Sequence, residues 1–579
     1  MPKQNVHFSL IYGHILFTCF APLAAQEWDS PQEAEAYVAT LQDLEGVLLP
    51  LNQASEPDLL ELPGLTPDIA RRITAFRPYK TLQDLYRVPG MTPELLDQIS
   101  PYLILNDRPN WHGRFIERLT RPSNHPDKVD HLRLRQRADI QIGDGIQGFL
   151  LIDRDPEEDS WTDYLTAHVK ISHPLGQLIL GDVRPEIGQG LLHSRQSRGT
   201  ASLSTIRPRS QSRIGNRGGT EFGAIRGVHL TTRLFPVKLE ALYGRLFWDA
   251  DISPDGTAQI RRTESHISEA SLSRKHLLTE GLATLHLSVG TPHDHIGLTY
   301  QRLTFSPSNP QDGITRHISI DHRAQWHDAV FFGEFASGTH SNAFLTGLVW
   351  KKSGLRLHLL MRRYSPYFSG LHGAPITAFG TPAKNESGLF FGFTYQPIRR
   401  TRIELSLDRH RQLIAEQFPL PDMGHRFRLA VRHRFGKRVN LQIKHSSRKR
   451  GYNLSRTENR GTLNWKPGAT RTTVWVSKTK ATASENGFAF GLRQQIGHDL
   501  RLALWATAYN VPDYDARIYS FEPDVWGSGS LQVLSGRGRS SGILLAWSNT
   551  SFRIATRYSR RNTDAHPTTS WSVQFELQR

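Results

Sequence analysis

The chain has 579 residues, a formal net charge of +17, one cysteine and four methionines, with a mean hydropathy of −0.45. It is too long for one ordinary globular domain, and a single cysteine excludes a disulfide framework or a thiolate metal cage. No apolar run beyond residue 25 is long enough for a membrane-spanning helix.

In chain order, Lys3 precedes an apolar run over 8–23 and then Ala24-Ala25-Gln26. That is the order of parts in a secretory signal peptide, here 1–25. Gly13 and His14 interrupt the run, which is short for an anchor. Cleavage after Ala25 would remove Cys19, so the mature chain is expected to leave the cytoplasm without a thiol.

Residues 26–50 read as an N-terminal helix and lead-in, and 51–105 as a small helical module that repeats itself. Positions 58–73 read D-L-L-E-L-P-G-L-T-P-D-I-A-R-R-I; 26 positions later, 84–99 read D-L-Y-R-V-P-G-M-T-P-E-L-L-D-Q-I. In each copy Pro-Gly makes a sharp turn between two short helices, and Thr-Pro supplies a capping hydroxyl and a first-turn proline for the second. Amide groups exposed at such a turn receive a phosphate. With Leu51-Asn52-Gln53-Ala54-Ser55 ahead of it, the repeat resembles the tandem helix-hairpin-helix domain of ComEA-type competence proteins, which bind double-stranded DNA. The resemblance implies DNA-binding turns at Pro63, Gly64, Leu65 and Thr66 and at Pro89, Gly90, Met91 and Thr92, flanked by Arg71, Arg72 and Lys80. Two departures weigh against it. Thr66 and Thr92 stand where the motif has a second glycine, and Asp97 and Gln98 stand where the first copy has Arg71 and Arg72.

Charge divides unevenly. Over 26–105, five Lys or Arg stand against thirteen Asp or Glu, a net of −8, and with Lys3 ahead of them the rest of the chain carries +24. The implied partners of the basic part are anionic: lipopolysaccharide phosphates, nucleic acid, acidic glycans or the acidic module itself.

Residues 106–129 read as a linker or first strand. From 130 to 579 the dominant period is two, in segments of about ten residues separated by Gly, Asn, Asp, Ser and Pro. Leu355, Leu357, Leu359 and Met361 alternate with Arg356, His358 and Arg362; Phe427, Leu429, Val431 and Phe435 with Arg426, Arg428, Arg432 and Arg434; Trp571, Val573, Phe575 and Leu577 with Ser572, Gln574 and Glu576. A sandwich also alternates, but its strands are shorter and broken by crossovers. A pattern of long hairpins sustained this far predicts a large transmembrane antiparallel β-barrel of about 22–26 strands, apolar outside and charged inside. The lipid bilayer is then a partner and the bacterial outer membrane the location, with the module in the periplasm.

The stretch 184–226 lacks alternation and is rich in Gly, Ser and Arg. It predicts either an extracellular loop or an inward-folded constriction, with Arg195, Arg198, Arg207, Arg209, Arg213 and Arg217 as a candidate anion-binding set. Leu180-Gly181-Asp182-Val183-Arg184, Ile187-Gly188-Gln189-Gly190-Leu191-Leu192, Arg207-Pro208 and the segment from Glu221 to Arg226-Gly227 are similar to a group of outer-membrane proteins that fuse a periplasmic helix-hairpin-helix domain to a large barrel.

Catalysis, cofactors and metals find little in the sequence. His358 and His433 sit singly in alternating segments, His293-Asp294-His295 reads as a turn, and Asp155, Glu157, Glu158 and Asp159 read as a hairpin tip. The terminal F-E-L-Q-R alternates correctly but lacks the final aromatic of many outer-membrane barrels. Two functions remain open: a competence-like DNA receptor fused to its pore, or a transport or envelope-assembly barrel whose acidic module is a plug or docks a periplasmic protein.

Overall fold

The computed structural model describes residues 49–578 apart from short breaks, the longest at 106–110, 123–131 and 311–315. The expected signal peptide and residues 26–48 of the lead-in lie outside the described residues, as do Pro63, Gly64, Thr66, Thr92, Arg198 and Arg213.

Twenty-four antiparallel strands form a closed barrel, within the range expected from the alternation. The first strand, Trp111–Arg121, falls in the 106–129 segment, and the last is Pro567–Gln578. These two close the ring, with Arg114 opposite Gln578 and Arg121 opposite Trp571. Closure pairs the backbone groups of every strand on both sides, which a water-free medium demands. At one rim the strands are joined by tight turns such as 174–175, 235–236, 353–354 and 399–400. The opposite rim carries long loops, among them 184–224, 253–277, 365–385 and 512–535.

Alternation along each strand sorts side chains between the two faces. On Leu355–Tyr364, Leu359 and Met361 are 39% and 47% exposed on the outer surface, whereas His358 and Arg362 are 4% and 0% exposed inside. The outward apolar rows suit hydrocarbon, and many of the inward polar side chains pair with one another. Arg362 shows how: its guanidinium lies 2.8 Å from Asp408 Oδ1 and 2.5 Å from Glu386 Oε1. Some strands break the rule near the long-loop rim. On Val237–Ile252, Leu242, Leu246 and Trp248 point inward while Tyr243 and Phe247 point outward. The inward set packs against Val183, Ile214 and Ile225, because the 184–224 loop folds into the lumen and makes that half of the wall a buried core.

The module is built on Leu51, Leu59, Leu62, Leu65, Ile69, Ile73, Leu85, Val88, Leu96 and Ile99. Its helices α1 (Glu56–Leu60) and α2 (Pro67–Ala75) form the first hairpin, whereas the second opens with a 3-10 turn, Leu82–Arg87. Corresponding apolar positions of the two copies, such as Leu59 with Leu85 and Ile73 with Ile99, share one core. A parallel bridge of Leu49–Pro50 with Leu103–Ile104 ties its ends.

Candidate functional site

The 184–224 loop reaches across the lumen. Gly188 and Gly190, at φ +59° and +87°, turn successive backbone amides toward one carboxylate. The N–H groups of Gln189 and Leu191 donate to Glu334 Oε2 at 2.6 and 3.0 Å. This is a nest of backbone amides closed on a carboxyl group of the barrel wall, and it gives the I-G-Q-G-L-L segment its physical purpose. His193 is fully buried, with Nε2 2.9 Å from both Thr284 Oγ1 and Gln301 Nε2. Burial, reinforced by His372, His229 and His317 nearby, holds its ring well below the usual histidine range.

The loop arginines divide by role. Arg209 meets Glu186 Oε1 at 2.5 Å and donates to Ser194 Oγ and the carbonyl of Ala374 at 2.6 Å. Arg217 meets Asp139 Oδ1 at 2.5 Å and lies over the Phe149 ring. Both charges are therefore matched by carboxylates of the chain itself, and both fasten the loop instead of leaving an open anion cradle. Arg207 points the other way, with Nη1 3.5 and 3.4 Å from the carbonyls of Leu60 and Leu65 in the module.

Those contacts are part of a larger docking. Arg71 Nη2 donates to Gln325 Oε1 at 2.6 Å, at the short-turn end of Arg316–Trp326. Glu56 Oε2 lies 3.2 Å from His293 Nε2, in the turn that the H-D-H spacing marks, so this histidine serves docking. The first hairpin thus faces the barrel. Arg72 donates to the Pro89 carbonyl at 3.0 Å and links the two hairpins. Arg77 donates to the carbonyls of Leu51 and Ala54, which makes it a structural cation. Tyr79, buried and bonded to the Ile73 carbonyl at 2.7 Å, is pushed up to about 12 by that burial. Of the residues expected to bind DNA, Leu65 is in the core, Met91 is half-buried, and Lys80, Pro89 and Gly90 are exposed. Gly90 takes φ +96°, the left-handed turn that Pro-Gly suits.

Two other loops also fold inward. In the 365–385 loop, His372 Nε2 sits 2.7 Å from Glu280 Oε1. In the 512–535 loop, Glu522 Oε2 lies 2.7 Å from Arg557 Nη2, and the Tyr519 carbonyl accepts from Arg460 at 2.7 Å. Nothing in their sequence marks them as inward, because the partners are far along the chain.

The remaining wall is strongly basic. On the inward rows of the four strands from Thr401 to Trp465, ten Arg or Lys, among them Arg402, Arg428, Arg432, Arg434 and Lys444, share the surface with three carboxylates, Glu404, Asp408 and Glu458. The arginines alternating with Phe427, Leu429 and Val431 in the sequence are this row. A low-dielectric wall around such an excess focuses a positive field along the lumen.

A family model described as helix-hairpin-helix motif matches residues 45–104. No curated protein matches the chain. Among solved structures, the barrel is similar to a variant of the ferric enterobactin receptor PfeA from Pseudomonas aeruginosa, at 8% identity and a TM-score of 0.41, over 82% of this chain and 81% of that one. It is similar to the siderophore receptor PirA from Acinetobacter baumannii at 8% identity and a TM-score of 0.38, over 82% of each chain. A further likeness is to the outer membrane protein opdK from Pseudomonas aeruginosa, at 10% identity and a TM-score of 0.31, over 59% of this chain and 98% of that one. The chain is an outer-membrane-type β-barrel with an N-terminal helix-hairpin-helix motif.

Proposed function

We propose that the chain is an outer-membrane transport barrel for anionic solutes, with its helix-hairpin-helix module acting as a plug at the periplasmic mouth. The observation that carries this reading is the docked first hairpin, held by Arg71 on Gln325, Glu56 on His293 and Arg207 on the carbonyls of Leu60 and Leu65. Contacts of this kind commit Arg71, one of the candidate phosphate ligands, to the wall. Orientation is supported by the outer surface. Arg363, Arg409, Arg411, Lys449, Lys478, Lys480, Arg537 and Arg539 all project outward near the long-loop ends of their strands. Cations at that height suit the phosphates of lipopolysaccharide, which supports a periplasmic side for the tight turns and the module.

Conductance in planar bilayers tests the plug. The wild-type chain should be closed for most of the record, and the combined variant Glu56→Gln, Arg71→Ala, Arg207→Ala should open far more often at unchanged membrane insertion. Identical open fractions would refute the plug.

The competence-like reading retains one favourable observation, the exposure of Lys80, Pro89 and Gly90 on the second hairpin. Duplex DNA mixed with the full chain at low salt discriminates. Binding that Lys80→Ala weakens would restore it, and no binding removes it.

A further inference from the structure

The long-loop rim holds buried titratable side chains for which conduction has no use. Glu158 and Asp163 lie in the loop 155–163, Glu221 near the end of the inward loop, and His266 in the loop 253–277. Asp155 and Glu158 of the acidic run do sit between strands as the sequence suggests, yet Glu158 is only 3% exposed. One ligand atom each from Glu158, Asp163 and His266 lies within 4.8 Å of the others.

His266 supplies the decisive detail. Its Nε2 is 2.8 Å from Asp249 Oδ2. Its Nδ1 makes no hydrogen bond, although the side chain is 4% exposed, and the nearest carboxylate oxygen across the gap is Glu221 Oε2 at 3.5 Å. Asp163 lies beside it, with Oδ1 2.7 Å from Lys275 Nζ and its carboxylate against the Glu158 carboxyl group. A carboxylate behind one ring nitrogen fixes the tautomer and presents the lone pair of the other, which is how metal-binding histidines are held. Donors about 2.0–2.2 Å from a four-coordinate ion lie roughly 3.3 Å apart, close to the separation of His266 and Glu221.

We propose that Glu158, Asp163, Glu221 and His266 form a site for a divalent transition-metal ion of the zinc or manganese kind. A nitrogen donor among oxygens selects such an ion over calcium or magnesium, which prefer oxygen alone. Its ligands come from three loops, so the ion clamps the 155–163 tip and the end of the inward loop to the 253–277 loop.

The test uses the whole chain in detergent, stripped with a chelator and titrated calorimetrically with zinc chloride. One site per chain is expected, weakened at least about tenfold in His266→Ala and in Glu221→Gln, with calcium in large excess failing to compete. Heat-modifiable migration verifies that each variant is a closed barrel. Absence of zinc uptake by the wild type, or equal affinity in folded variants, overturns the proposal. Should His266→Ala fail to close, Glu221→Gln and Asp163→Asn decide by the same criterion.

Discussion

Gly188 has two reasons to be glycine. Its φ of +59° lies in the left-handed region, and an added Cβ would stand 2.7 Å from Glu334 Cδ. Gly188→Ala should therefore weaken the nest by about 1–3 kcal/mol, read as faster proteolysis within the 184–224 loop of an otherwise intact barrel. Unchanged cleavage would show that the nest does not hold the loop. At this scale the sequence is legible in residue type and silent on partner. The arginines of 184–226 announce anion recognition, and Arg209 and Arg217 do find carboxylates. The Asp139 that receives Arg217 is 78 positions away, and no local pattern connects them. Arg71 and Arg72 likewise read as cations for phosphate, while the fold commits one to Gln325 and the other to Pro89.

Among the elements, the inward loop carries the clearest pH dependence. His193 is buried with its ring held below the usual histidine range, so the folded loop binds fewer protons than the released one. Its contribution is present above about pH 6.5 and lost as pH falls below that value. Acidification to pH 5 should raise the open fraction in bilayer recordings, and His193→Gln should flatten that response; a wild-type profile level between pH 7 and 5 would contradict it. The strands were legible because lipid on one side and water on the other impose a period of two. Where the loop packs on the inner face, both faces become apolar. Leu242, Leu246 and Trp248 beside Tyr243 and Phe247 were the available signal that this half of the wall is covered. The loops 365–385 and 512–535 left none, since their inward course is decided by side chains on distant strands.

For the whole molecule, the positive charge of the strand region becomes a spatial arrangement, concentrated on the inward rows between Thr401 and Trp465. Selectivity follows from the wall. Reversal potentials across a salt gradient should favour anions, and Arg428→Glu with Arg432→Glu should move them toward cations without altering insertion. A cation-selective wild type would mean that the measured current bypasses the row between Thr401 and Trp465. Barrel architecture, approximate strand number and the helical module were all legible, because each rests on a repeat. The docking of one on the other was not, because Glu56 with His293 and Arg71 with Gln325 are single contacts between unrelated stretches of chain.

The seam between Trp111–Arg121 and Pro567–Gln578 has a consequence for biogenesis. Until the last strand is made, the nascent sheet carries two raw edges, each a row of unpaired amides and carbonyls that invites pairing with another chain. A polypeptide cut ahead of Pro567 would thus yield an adhesive, protease-sensitive sheet and not a slightly narrower pore. Assembly must also seat the module, which precedes the first strand, either before the ring shuts or through the short-turn mouth afterwards.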